Sequence, residues 1–232
     1  MSLEEDLEVL RKVYRDEGFL DIVILESGVD IVRRGNRSLD LIINLVEGER
    51  SYAGKINVTG NAVLSTEDIL KEIRMREGDV YSPTLLGEDR SRIRKRYGED
   101  GYLDARVVAI RKPNLETGRI DVTFDVTENN KFTVNSILVR GNDKTRTIAI
   151  VRELALAPSE IFDLRRMETS EARLRNTRFF ERVTLDDEPI ATDDPEIQRS
   201  RRNLVVNVKE GRTGHVSFGV GFSTLEKAMM FA

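Results

Sequence analysis

Apolar side chains fall at every second position in two well-separated stretches of the chain: Leu41, Ile43 and Leu45, then Val122, Phe124 and Val126. Asp121, Thr123 and Asp125 alternate with the second set. Side chains of an extended strand point to opposite faces in turn, so each stretch reads as a strand with one face in a core. A shift of 81 positions carries one set onto the other, and also lays Gly60 over Gly141, Asn61 over Asn142, Ile69 over Ile150 and Glu72 over Glu153. One residue more brings Val126 onto Val208. Self-similarity of this kind marks tandem structural units.

Each unit reads as strand, helix, helix, strand, strand. In the middle one, Ile56 and Val58 alternate with polar neighbours up to the turn signal Gly60-Asn61. Ser65 with Asp68 three residues on resembles a capping box, Ile69 and Ile73 share a helical face, and Gly78 suits the stop. Pro83 can start the second helix, in which Leu86, Ile93 and Tyr97 recur at seven and four. Gly101 then precedes a strand over 102–110, and 119–126 is the last strand. The next unit predicts a strand to Val139, a helix with Ile148, Val151 and Leu154, and a helix with Leu164, Met167 and Leu174. Its final strands are 179–185 and 203–210.

Residues 1–48 hold one helical face, Leu3, Leu7, Leu10 and Tyr14, then Gly18-Phe19 and two strands. That is a unit without its first strand and first helix, which reads as a piece of a longer protein. The segment "GHVSFGVGFST" alternates again: Val216, Phe218, Val220 and Phe222 share one face, and Ser217, Gly219, Gly221 and Ser223 the other. The domains are therefore a truncated unit at 1–48, complete units at 49–129 and 130–211, and a terminal strand region at 212–232.

Composition narrows the chemistry. With 39% hydrophobic residues, the 232-residue chain can bury cores, and 37 basic against 41 acidic residues leave a formal charge of −4 and no global pull toward polyanions. The absence of cysteine excludes disulfides, thiolate metal sites and cysteine nucleophiles. His215 is the one histidine and has no neighbouring carboxylate or second ligand. Gly219-x-Gly221 is too short for a dinucleotide loop. Asp186-Asp187-Glu188 and Asp193-Asp194 flank prolines and read as solvated loop. Arginine is dense at Arg90, Arg92, Arg94 and Arg96, and again at Arg165, Arg166, Arg173, Arg175, Arg178 and Arg182, beside Phe179-Phe180. Helical spacing spreads these charges, Glu168, Glu171 and Glu181 dilute them, and the runs read as solvated faces. No catalytic, cofactor or metal residue is assigned, and no cofactor is expected.

The tandem units resemble POTRA domains. The segments "GNDKTRTIAIVRELALAPSEIF", "RLRNTRFFERV" and "VVNVKEGRTGHVSFGVGFST" are similar to the last such domain of an outer-membrane β-barrel assembly protein, running into its barrel. The resemblance implies an α+β fold of βααββ units, each a three-stranded mixed sheet covered by two helices. It implies a non-enzymatic periplasmic region that receives unfolded outer-membrane proteins, docks accessory outer-membrane lipoproteins and passes clients to a barrel in the outer membrane. Nucleic acid is not an expected partner. A related secretion transporter, and a cytosolic nucleic-acid-binding repeat using the arginine helices, are the alternatives.

A sheet with an open edge can bind an extended chain by strand addition. The expected edges are Leu103, Ala105, Val107 and Ala109 in the middle unit, Phe180, Val183 and Leu185 in the last, and 20–25 in the truncated one; each is either free or capped by a neighbouring unit. Val216, Phe218, Val220 and Phe222 would face lipid in a barrel strand. Arg178 stands where the family has glycine before the paired aromatics, so either Asn176 takes the left-handed role or the helix ends differently.

Overall fold

The computed structural model describes residues 3–34, 38–211, 219–221 and 229–231. The chain separates into two compact units, one of Met1–Gly98 with Tyr102–Asn130, the other of Glu99–Gly101 with Lys131–Ala232.

The first unit opens with α1 (Leu3–Asp16), β1 (Val23–Arg34) and β2 (Ser38–Val46), the two strands forming an antiparallel pair. It continues with β3 (Ala53–Thr59), α2 (Thr66–Glu72), α3 (Pro83–Glu99), β4 (Arg106–Asn114) and β5 (Arg119–Thr127). The strand order is β3-β5-β4, with β3 parallel and β4 antiparallel to the central strand. Val122, Phe124 and Val126 point into a core with Ile69, Ile73, Met75, Tyr81, Ile93 and Tyr97, all nearly inaccessible to solvent. Thus the period-two and helical apolar sets meet on one side of the sheet.

The second unit repeats the plan with β6 (Thr133–Arg140), α4 (Thr147–Val151), α5 (Leu164–Asn176), β7 (Phe180–Pro189), α6 (Pro195–Ser200) and β8 (Arg201–Glu210), in the order β6-β8-β7. Its core gathers Val134, Ile150, Phe162, Met167, Leu174, Leu204 and Val206.

The shared Gly-Asn pair has a physical reason. Gly60 has φ +77° and Gly141 φ +83°, and a Cβ there would lie 2.1 Å from the Val126 carbonyl oxygen and 2.0 Å from that of Val208. Only glycine tolerates both the left-handed backbone and the contact. The Asn61 side-chain amide then donates to the Leu64 carbonyl at 2.9 Å, as Asn142 does to Thr145 at 2.9 Å. A carboxylate just past each central strand closes the turn: Glu128 accepts the amides of Ala62 and Val63, both at 2.8 Å, and Glu210 those of Lys144 at 3.0 Å and Thr145 at 2.6 Å. Burial pushes the Glu128 carboxyl up, but the Val63 and Ala62 amides and the Tyr97 hydroxyl hold it below the ordinary value. The Thr145 amide lowers Glu210 in the same way.

Several elements differ from the sequence reading. Ser65 caps α2 as expected, accepting the Asp68 amide at 3.1 Å, but the helix stops at Glu72 and not near Gly78. The reason is Asp89 on α3, fully buried, which accepts the amides of Arg74 at 2.8 Å and Met75 at 3.0 Å and pulls that segment out of helix. Strand β4 begins at Arg106, after a turn that holds Leu103, and β1 begins at Val23. Helix α4 is one turn long, so Leu154 lies outside it; its buried residue is Ile150, while Ile148 faces solvent. Of the expected acidic loop, Asp186-Asp187-Glu188 lie in β7, whereas Asp193 and Asp194 are exposed loop ahead of α6. Asp187 on β7 pairs with Arg202 on β8 and Glu188 with Arg140 on β6, and Asp194 caps α6. Arg178 itself takes the left-handed conformation, φ +58°, while Asn176 ends α5. Gly18 and Gly101 do the same at φ +93° and +94° without strain on a side chain.

Of the lipid-facing set expected at the terminus, Val216, Phe218 and Phe222 lie outside the described residues. Val220 lies in β9 (Gly219–Gly221), which pairs antiparallel with β10 (Met229–Phe231).

Candidate functional site

Each three-stranded sheet has two edges, and the structure treats them differently. The first strands are shielded at their start by the segment that leads into the second helix. Gly78 donates to Ala53, Ala53 to Asp79, and Tyr81 to Ser51, at 2.9, 2.8 and 3.1 Å. In the other unit Val134 donates to Glu160, Ser159 to Val134, and Phe162 to Phe132, at 2.8, 2.7 and 3.0 Å. Strands β4 and β7 lack such a cover at either end and pair only with their central strands among the described residues. Their outer N–H and C=O groups are the open template for another chain.

Most of the side chains named from sequence face the cores. Ala105 and Val107 are buried and Ala109 packs against the same core; Leu103 sits in the turn and Ala105 just before the strand. Phe180, Val183 and Leu185 are buried in the second unit. In the truncated segment Leu20 packs on the core of the first unit and Ile22 and Ile24 are buried, with Val23 and Leu25 exposed. Core-facing residues hold the edge in place, and what the edge offers is main chain. On the opposite face of β4, Val108 and Ile110 are about half exposed, at 46% and 51%.

Beside β4 lies a feature that the sequence reading missed. A cleft of about 440 Å³ opens between α3 and the beginning of β4, lined by Arg90, Ser91 and Arg94 from the helix and by Leu103–Val107 from the strand side. A second hollow of about 250 Å³ continues it, with Leu86, Gly87 and Arg90 facing Ala109 and Arg111. The two run along β4, so a strand added there would pass beneath α3. In the second unit a smaller hollow, about 220 Å³, is lined by Lys144, Thr145, Phe179, Glu210 and Gly211. Among the described residues no group of three His, Asp or Glu side chains is placed to hold a metal, and no helix is long and apolar enough to cross a membrane.

These paired βααββ units, each with one edge strand shielded at its start, match a known family. The family model for POTRA, the surface antigen variable number repeat, matches residues 51–129 and 132–211. The chain belongs to the POTRA family. This POTRA chain is 28% identical over 228 residues to the outer membrane protein assembly factor BamA of Nitratidesulfovibrio vulgaris, covering 96% of this chain and 27% of that protein. It is 26% identical over 220 residues to the BamA of Neisseria meningitidis serogroup B, covering 94% of this chain and 27% of the relative. It therefore spans 27% of the length of either one. The crystal structure of Haemophilus influenzae BamA POTRA3-5 superposes with a TM-score of 0.71 at 20% identity, over 90% of this chain and 81% of that one, a likeness of fold. The α+β architecture read from the sequence is thus that of a BamA-like POTRA region.

Proposed function

We propose that this POTRA region stands in the periplasm, receives unfolded outer-membrane proteins and passes them to a β-barrel for insertion, with accessory lipoproteins docking alongside. The role is one of binding, not catalysis. The observation that carries it is the asymmetry of the sheets: β3 and β6 are shielded at their start, whereas β4 and β7 present unpaired main chain. Strand addition draws on backbone hydrogen bonds and makes little demand on client sequence, which suits a receptor for many chains. The assembly-factor names of the relatives agree with this role.

Proline at Val107 is a poor test, since that side chain is buried and the core would break with the edge. Photoreactive residues at Val108 and Ile110, which are exposed on β4, keep the core intact. With unfolded outer-membrane protein they give crosslinks well above those from Asp125 on the central strand; equal yields at all three positions would sink the edge reading.

A further inference from the structure

The cleft along β4 carries a charge pattern that the bare edge does not explain. Arg92 on α3 pairs with Glu88 and with buried Asp89. Arg90 and Arg94, one helical turn apart on the side that lines the cleft, form no ion pair or side-chain hydrogen bond among the described residues. Neither has an acid three or four positions away on the helix; Arg90 has Leu86 and Gly87 before it, Ile93 and Arg94 after it. Arg106 borders the cleft but shares the outward face of β4 with Val108 and Ile110, and Asp104 is the one carboxylate in the lining.

The second unit shows that this is not forced by the fold. Register places Leu86 over Met167, Asp89 over Ser170 and Ile93 over Leu174, so that Arg90 and Arg94 correspond to Glu171 and Arg175. There the two side chains pair with each other and cancel. The strand position of Arg111 is taken by Asp187, itself paired with Arg202. One unit thus has a neutralised flank and the other an unbalanced positive one.

Resting on the strand-addition reading above, we propose that the α3–β4 cleft selects extended segments with acidic side chains at alternate positions. The geometry is commensurate. Arg90 and Arg94 are spaced about 6 Å along the helix by four residues of rise. Alternate residues of an added strand are spaced about 6.7 Å and point to the same face. Two such carboxylates beneath α3 meet the two guanidiniums, and one further along the strand approaches Arg111, which lies on the α3 side of β4. Fork-shaped guanidiniums suit carboxylates, and in a partly enclosed cleft such pairs are screened less than on an open surface.

The test titrates the full chain with a short extended peptide bearing Glu at alternate positions among Val and Thr, and with the same peptide bearing Gln. Dissociation constants and backbone amide shifts are the readouts. The Glu peptide binds about tenfold more tightly than the Gln peptide, the gap narrows as salt is raised, and the shifts concentrate at 103–111. Arg90→Glu, which copies the Glu171–Arg175 arrangement, and the double change Arg90→Gln with Arg94→Gln bring the Glu peptide down to the Gln peptide's affinity while leaving the latter unchanged. Both positions are exposed, so the fold persists. Equal affinity of the two peptides at β4 overturns the acid selectivity and leaves strand addition standing. Binding of neither peptide overturns strand addition, and the selectivity with it. A Glu preference whose shifts fall on 180–189 assigns it to the other unit and overturns the present placement.

Discussion

The two complete units solve one problem with different chemistry at the same place. After the first helix the chain must break off and reach back along the first strand, and a buried acceptor on the second helix takes the freed amides. In the first unit it is Asp89, holding Arg74, Met75 and the guanidinium of Arg92; in the second it is Ser170, whose hydroxyl accepts the Ala155 amide at 2.8 Å and donates to the Arg166 carbonyl at 2.7 Å. Both are fully buried. The fold therefore requires an acceptor there, and charge is a local choice that brings its own counter-ion.

The largest expected effect tests that contrast. Asp89→Ala orphans two amides and leaves the partly buried Arg92 guanidinium with Glu88 and the Glu72 carbonyl alone, and costs roughly 3–5 kcal/mol. Ser170→Ala loses a single neutral acceptor and costs about 1–3 kcal/mol. Urea unfolding of the two variants measures both, and equal costs would remove the distinction between charged and neutral staples.

The turn carboxylates are where the units agree, and acid titration sharpens the agreement. Glu128 and Glu210 both titrate below their ordinary value in the folded chain. A depressed carboxylate adds stability that is present above its unfolded pKa, about 4.3, and is lost as pH falls through the lower folded value. Glu128→Gln keeps one acceptor oxygen and costs about 1–2 kcal/mol at neutral pH. Its gap from the parent closes only as pH falls through the lowered folded value, where the parent carboxylate is protonated too. Unfolding curves across that range, with the protonation of Glu128 followed by its carboxyl chemical shift, decide it; a gap that persists once the carboxylate is protonated means the charge was not what closed the turn.

The smallest effect lies where the units differ by one residue. Arg178 holds the left-handed position that glycine fills at Gly18 and Gly101. Arg178→Gly relieves the strain against some added freedom in the unfolded chain and stabilises by up to about 1 kcal/mol. A lower melting temperature for that variant would show that the arginine side chain makes compensating contacts.

The strands, the Ser65 cap, the Pro83 start and the Gly-Asn turns were legible in sequence because each depends on neighbours within a few residues. The early end of α2 was not, since it is set by Asp89, fifteen residues away across the core. The acidic run at 186–188 looked like loop because its partners, Arg202 and Arg140, come from other strands. For the candidate site, the edge strands were readable, but their side chains proved to be core. The free arginines were in principle readable too: a helical arginine without acid at three or four positions has no local partner, whereas Glu171 with Arg175 announces its own pair.

The order of strands has a kinetic meaning. Each sheet is centred on the strand that comes last in its unit, and β3 meets β5 at residues 66 positions apart, as Thr59 and Asp125 do. β3 and β4 are not neighbours, so neither has a partner until β5 exists. A chain emerging from its amino end gains no three-stranded sheet until the central strand is made, and closes that sheet through a long-range parallel pairing, which is slow. Each unit is thus made in a single late step, and a chain cut before residue 119 would leave two strands with nothing to fold against.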